Sequence, residues 1–229
     1  VADLACQQIT DPGHPDYGAL IAPEYGMRWG QLDAGFVVGV AYRFLAALRL
    51  GDARRIAAAR ILLPAALLAA DAMLRSQRPS GLLDLITVNY DSAPDTGFTV
   101  QQLCTVVELA RFQAEDDPNW AGLLGKIEQF IRRAVLGLMD GGFHTPNHRW
   151  VIAAALSQAG RLFPDLDVRR AVDAYLAEGI DLDAEGFFIE RSVGVYDAVN
   201  DRSLLLIAEN YGWPGASEAV ERNLMLDLR

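Results

Sequence analysis

Apolar residues recur along this chain at helical spacing through residues 32–50, 53–76, 98–115, 120–139, 148–163, 168–178, 200–211 and 216–228. Breakers stand between these stretches: Gly51-Asp52, Pro79-Ser80-Gly81, Asp117-Pro118, Gly141-Gly142, Pro164-Asp165, Gly179 and Trp213-Pro214-Gly215. The pattern predicts one all-α domain over residues 1–229, with short and long connectors in alternation. Two segments depart from it, 82–90 and 180–191. In the second, apolar residues alternate about Ala184-Glu185-Gly186, so both are expected to be short β-ribbons in rim loops.

The long connectors resemble one another. Asp95-Thr96-Gly97-Phe98, Thr145-Pro146-Asn147-His148 and Tyr196-Asp197-Ala198-Val199-Asn200 each lead into an apolar helix, and Arg28-Trp29-Gly30-Gln31 reads as an earlier copy. The starts recur at about fifty residues, a period typical of helical-hairpin repeats. Such repeats stack into a straight solenoid or close into an (α/α) toroid, complete or incomplete. In a toroid the inner helix starts share one face, with their N–H groups aimed at a common cleft. Thr96, Asn147, His148 and Tyr196 would then be neighbours on one rim.

Composition narrows the partners. A hydrophobic fraction of 52% over 229 residues is enough for a sizeable core. A formal charge of -10 argues against nucleic-acid binding, which needs a basic footprint, so an anionic ligand requires a locally basic pocket. Lys126 is the only lysine, and arginine carries the remaining positive charge in a planar fork suited to carboxylates and sulfates. Cys6 and Cys104 fit neither a disulfide framework nor a zinc spacing. The apolar stretch 56–74 is interrupted by Arg60, Pro64 and Asp71, which points to a buried helix and no membrane span. The chain opens on Val1-Ala2-Asp3 without a secretion signal and closes on a charged helical pattern, so it reads as part of a longer protein.

The densest polar cluster, His144-Thr145-Pro146-Asn147-His148-Arg149-Trp150, holds two of the three histidines. Histidine titrates near neutrality and can accept a proton, while asparagine donates amide hydrogen bonds to a carboxylate. His144 and His148 have the i,i+4 spacing of a helical metal pair, but Pro146 between them argues against a helix there, so no metal is expected. A purely structural account is also open, with Asn147 as a helix N-cap and His148 as a first-turn side chain. The second cluster runs from Glu190-Arg191 through Tyr196 to Asn200-Asp201-Arg202. A tyrosine beside positive charge can protonate a leaving oxygen. It can equally pack at a helix start with its hydroxyl bonded.

These two clusters together resemble the heparinase II/III and alginate lyase superfamily, over roughly the second half of the chain. The resemblance implies a helical toroid followed by β-sandwich sheets, and β-elimination of a uronic-acid polysaccharide with no cofactor. It places Asn147 at the uronate carboxylate, helped by Arg191 or Arg149, and makes His148 or Tyr196 the base and Tyr196 the acid. His144, Arg149, Trp150, Arg191 and Asn200 would line the substrate. A periplasmic or secreted location is favoured over a cytoplasmic one. Two features depart from the family: the chain has no all-β region to supply a further site residue, and a closed six-hairpin toroid needs more helices than the pattern predicts. Two rivals stand beside this reading. One is a glycoside hydrolase on a similar toroid using Asp183, Glu185 or Glu190. The other is a non-catalytic helical repeat that binds sugar or protein on a concave face.

Overall fold

Several helix starts and stops follow local capping chemistry. In a computed structural model describing residues 2–86, 88–113 and 115–227, the elements in chain order are α1 (Ala2–Ala5), β1 (Ile21–Ala22), β2 (Met27–Arg28), α2 (Gly30–Leu50), α3 (Ala53–Arg60) and α4 (Leu63–Ser76). They continue with β3 (Leu83–Leu85), β4 (Asn89–Ser92), α5 (Ala93–Ala110), α6 (Pro118–Asp140), α7 (Pro146–Leu162), α8 (Arg169–Leu176), α9 (Tyr196–Tyr211) and α10 (Ala216–Asp227). The Asp52 carboxylate accepts from the N–H groups of Arg54 and Arg55 to start α3, and Asp117 does the same for Asn119 and Trp120 at α6. Gly51 (φ 62°) and Gly212 (φ 72°) close α2 and α9 in the left-handed conformation that glycine adopts without strain.

Helices make up 62% of the structure, which places it in the all-α class. The stretch 53–76, expected as one helix, is two, α3 and α4, bent by 44° across Ile61-Leu62. Pro64 is the cause: it has no N–H, and its ring clashes with the carbonyl four residues earlier, so it sits in the first turn of a new helix. Segment 82–90 does form a ribbon, with β3 antiparallel to β4; within that segment Thr87 lies outside the described residues. Segment 180–191 contributes one antiparallel bridge, Leu182 to Phe188. The β1–β2 ribbon and α1 were not expected. Ala114 and Leu228, within two of the expected helices, lie outside the described residues.

The helices form two layers. One is the row α2, α5, α7, α9, each packed on the next; α4, α6 and α8 lie behind it, with α10 against α9. Contacts between the row's members fix them as parallel. Gln31 at the start of α2 reaches Asp95 at the start of α5, and farther along Tyr42 donates to the carbonyl of Gln102. Gln101 of α5 donates to the Val151 carbonyl of α7, and farther along Gln158 of α7 donates to Thr105 of α5. Gln101 also donates to Ser203 of α9, and the ends of α7 and α9 meet where Gly160 and Tyr211 line one cleft. All four starts therefore share one end. Among the described residues α2 and α9 share no interface of comparable size, although Arg202 of α9 acts electrostatically on Tyr42 of α2.

α7 is the central member, and residues 151–156 are wholly buried around its full circumference, as expected of a helix apolar on every side. Close approach makes this possible: a Cβ on Gly97 of α5 would lie 3.1 Å from Val151 Cγ1. The apolar length of α2 is likewise spent on the core, where Phe36, Val37, Val40, Ala41 and Phe44 are fully buried.

One carboxyl inside this core titrates abnormally. Asp33, fully buried in the first turn of α2, accepts the Leu20 N–H at 2.7 Å. Burial pushes its pKa from 3.8 up to about 7, against the downward pull of that N–H and of Arg28 and Arg75. Above pH 4 the unfolded chain ionises this group while the folded one holds it neutral. Stability therefore falls as pH rises from about 4 to about 7 and levels off beyond, a difference of roughly 2–4 kcal/mol. Asp33→Asn is expected to flatten this slope and to melt higher than the parent at pH 8, the two converging near pH 4. Thermal melts across that range test it, and parallel curves would refute the assignment.

Candidate active site

The start of α7 is built around a borrowed carboxylate. Thr145 occupies the cap position in extended conformation without a side-chain cap bond, and Pro146 fills the first helical position, where an N–H would be unsatisfied anyway. The next donor, the Asn147 N–H, is given to Glu190 Oε2 at 2.9 Å. Asn147 Nδ2 donates to Glu190 Oε1 at 2.7 Å and to Thr145 Oγ1 at 3.0 Å. Glu190 therefore grips Asn147 with both oxygens, at the helix end that favours negative charge. Asn147 is only 1% exposed, and its Oδ1 has no protein partner.

His148, one residue on, is half-buried, and its Nδ1 is shielded from solvent without a hydrogen-bond partner. Burial is the main influence on the imidazole and lowers its pKa below the ordinary 6.5; Asp95 and Glu190 pull it back up, and His144 adds to the lowering. The ring is therefore neutral at pH 7. Asp95, at the start of α5, is held by Gln31 Nε2 at 3.2 Å and by Ser92 Oγ at 2.5 Å, with Asn89 donating to Ser92 in turn. One rim thus gathers Gln31 from α2, Asp95 from α5, and Asn147 and His148 from α7, with Glu190 supplied by the α8–α9 connector. Tyr196 opens α9 and is 44% exposed at the same end of the row.

The other expected site residues are placed differently. Trp150 is fully buried; its Nε1 donates to Asp181 Oδ1 at 2.9 Å, and its ring lies 5.8 Å from that of Trp213. The Arg149 side chain is 5% exposed, stacks 4.0 Å over the Trp150 ring, and bonds the Gly179 carbonyl at 3.0 Å beside Glu178 and Asp181. Both hold the beginning of the connector that carries Glu190 and do not face the rim. Arg191, with its side chain 63% exposed, pairs with Asp183 at 2.9 Å and lies over Phe187. Asn200 is fully buried in α9, with neither amide atom bonded to protein. Thr96 is also fully buried; it accepts from the Leu83 N–H and donates to the Ser92 carbonyl. His144 is exposed.

Among the carboxylates considered for hydrolysis, Asp183 builds the connector's turn. Its Oδ1 accepts the N–H groups of Phe187, Glu185 and Gly186, which hold its pKa below the usual carboxylate range. Glu185 is exposed on that turn. Asp95 and Gln31 received no chemical role from the sequence; the signal that could have found them was the recurrence of the helix starts. Among the described residues, no group of three histidine, cysteine, aspartate or glutamate side chains is placed to hold a metal ion. Comparison with protein-family models, characterised proteins and solved structures finds no match to this chain.

Proposed function

We propose that this chain is the helical part of a polysaccharide lyase that cleaves a uronic-acid polymer by β-elimination, its helix row being an arc of an (α/α) toroid. The observation that carries the reading is a neutral, half-buried His148 directly after an asparagine that already holds a carboxylate through its N–H and Nδ2. Loss of the C5 proton of a uronate requires that the adjacent carboxylate be neutralised and that a base of near-neutral pKa stand beside it. In this scheme the substrate's carboxylate takes the place of Glu190 on Asn147. His148 removes the C5 proton, the electron pair forms the C4–C5 double bond, and the C4–O bond breaks. Tyr196 gives its proton to the departing oxygen. Arg149 and Trp150 act from behind, through Asp181, on the connector that places Glu190 and Tyr196.

The test is to incubate the full-length protein with alginate, glucuronan and heparan-type chains while following the absorbance of the unsaturated uronate. Turnover is expected on at least one polymer, reduced about 10²-fold or more in Tyr196→Phe, as for loss of a general acid. New reducing ends without that absorbance would transfer the assignment to hydrolysis, with Glu190, half-buried against Asn147, the remaining candidate. Silence in both assays would leave a sugar-binding repeat.

A further inference from the structure

A cavity lies on the same rim, where α2 begins. It encloses about 610 Å³ between the start of α2, the end of α4 and the β3–β4 ribbon, and its wall includes Arg28, Trp29, Arg75, Gln77, Arg78 and Tyr90. Three guanidinium groups in one cavity are conspicuous in a chain of net charge -10. Two are answered by carboxylates: Arg28 pairs with Asp16 at 2.7 Å, and Arg78 grips Asp84 in two-pronged fashion. Arg75 makes no direct ion pair among the described residues: its Nη2 donates to a neutral group, the Tyr17 carbonyl, and the carboxyl that acts on it, Asp33, has its pKa raised to about 7 by burial. Of the three guanidinium groups it is the one whose hydrogen bond does not go to a carboxylate.

The rest of the wall suits a sugar ring. Tyr90 is 69% exposed and leans on the Arg78 guanidinium at 5.8 Å, so its free face is open for stacking. Trp29 Nε1 and Gln77 Oε1, both buried, lack protein partners. Position completes the argument. Gln31, the second residue of α2, holds Asp95, which acts on His148, so the cavity and His148 lie along one rim. Two helix spacings separate α2 from α7 in the row, about 16–20 Å, a distance a polymer of several sugar units covers.

We propose that this cavity is a distal subsite for an acidic sugar, binding the carboxylate of a uronate unit several units from the bond cleaved. Arg75 holds the carboxylate and Tyr90 stacks on the ring. The assignment rests on the elimination reading for its substrate class, but it is tested by binding alone. Titration calorimetry on full-length protein carrying His148→Ala, which prevents turnover, would use a hexaglucuronate, a diglucuronate and neutral cellohexaose as probes. Arg75→Gln is expected to weaken the hexaglucuronate by about 10-fold or more, the worth of a charge-assisted hydrogen bond, and to leave the diglucuronate unchanged. Tyr90→Ala, at an exposed side chain whose loss does not threaten folding, is expected to weaken the same ligand. Hexaglucuronate affinity unchanged by both substitutions, or matched by cellohexaose, overturns the subsite. Arg75-dependent binding in a protein that shows no elimination upholds the subsite and removes the lyase reading. Absence of acidic-oligosaccharide binding in the parent removes both.

Discussion

His148→Ala is expected to slow elimination by about 10²–10⁴-fold, or roughly 3–5 kcal/mol of transition-state stabilisation, while leaving the fold intact. The magnitude is that of losing a positioned general base. Little stability should be lost with it, because the imidazole Nδ1 makes no bond to protein and the ring is only half-buried. The pH dependence gives a sharper test. Only the neutral ring can take a proton, and burial holds its pKa below 6.5, so the acid limb of kcat/KM should lie below 6.5. Asp95 pulls that pKa upward, so Asp95→Asn should move the limb to still lower pH. An acid limb unmoved by Asp95→Asn, or full turnover in His148→Ala, would sink the assignment of His148 as base. The same depressed pKa has a stability consequence of opposite use. Below pH 6.5 the unfolded chain protonates His148 before the folded one does, so His148 withdraws stability as pH falls through that window, opposing the gain from Asp33, and the alanine variant lacks that contribution.

What the sequence disclosed and what it concealed divide along physical lines. Starts governed by a local cap were legible: Asp117-Pro118 opens α6 and Gly51 closes α2 because each requires only its immediate neighbours. The break at Ile61-Leu62 was not, since an internal proline both interrupts a helix and is welcome in the first turn of the next. The recurrence of polar starts located the rim, because a repeat is a property of the chain alone. The partners across it were hidden. Glu190 on Asn147 and Asp95 near His148 are tertiary pairings, and neither residue's neighbours in sequence announce them. Sequence proximity also misled. About 100° separates successive residues of a helix, so with His148 at the rim, Arg149 and Trp150 are carried round to the buried side of α7.

That rotation makes Trp150 the residue whose loss should cost most in stability. Removing a fully buried tryptophan typically costs about 3–5 kcal/mol. Here it also strips Asp181 of its best donor, leaving the carboxylate to the longer contact with Arg149 at 3.4 Å and adding about 1–3 kcal/mol. Trp150→Ala should therefore lose roughly 4–8 kcal/mol, a large part of the 5–15 kcal/mol that holds an ordinary domain together. Trp150→Phe keeps an aromatic ring beside Trp213 but gives up the N–H and part of the buried ring volume, so about 2–4 kcal/mol should go. Asp181 begins the connector that reaches Glu190, which fixes Asn147, and then Tyr196. Loosening it should therefore lower kcat on the polymer more than it raises KM, since the wholly buried ring touches no substrate. Chemical denaturation of the two variants beside their kinetics separates the possibilities. A Trp150→Ala protein within 1 kcal/mol of the parent, but with KM alone raised, would mean that the ring is a substrate contact and that α7 turns its other face to the rim.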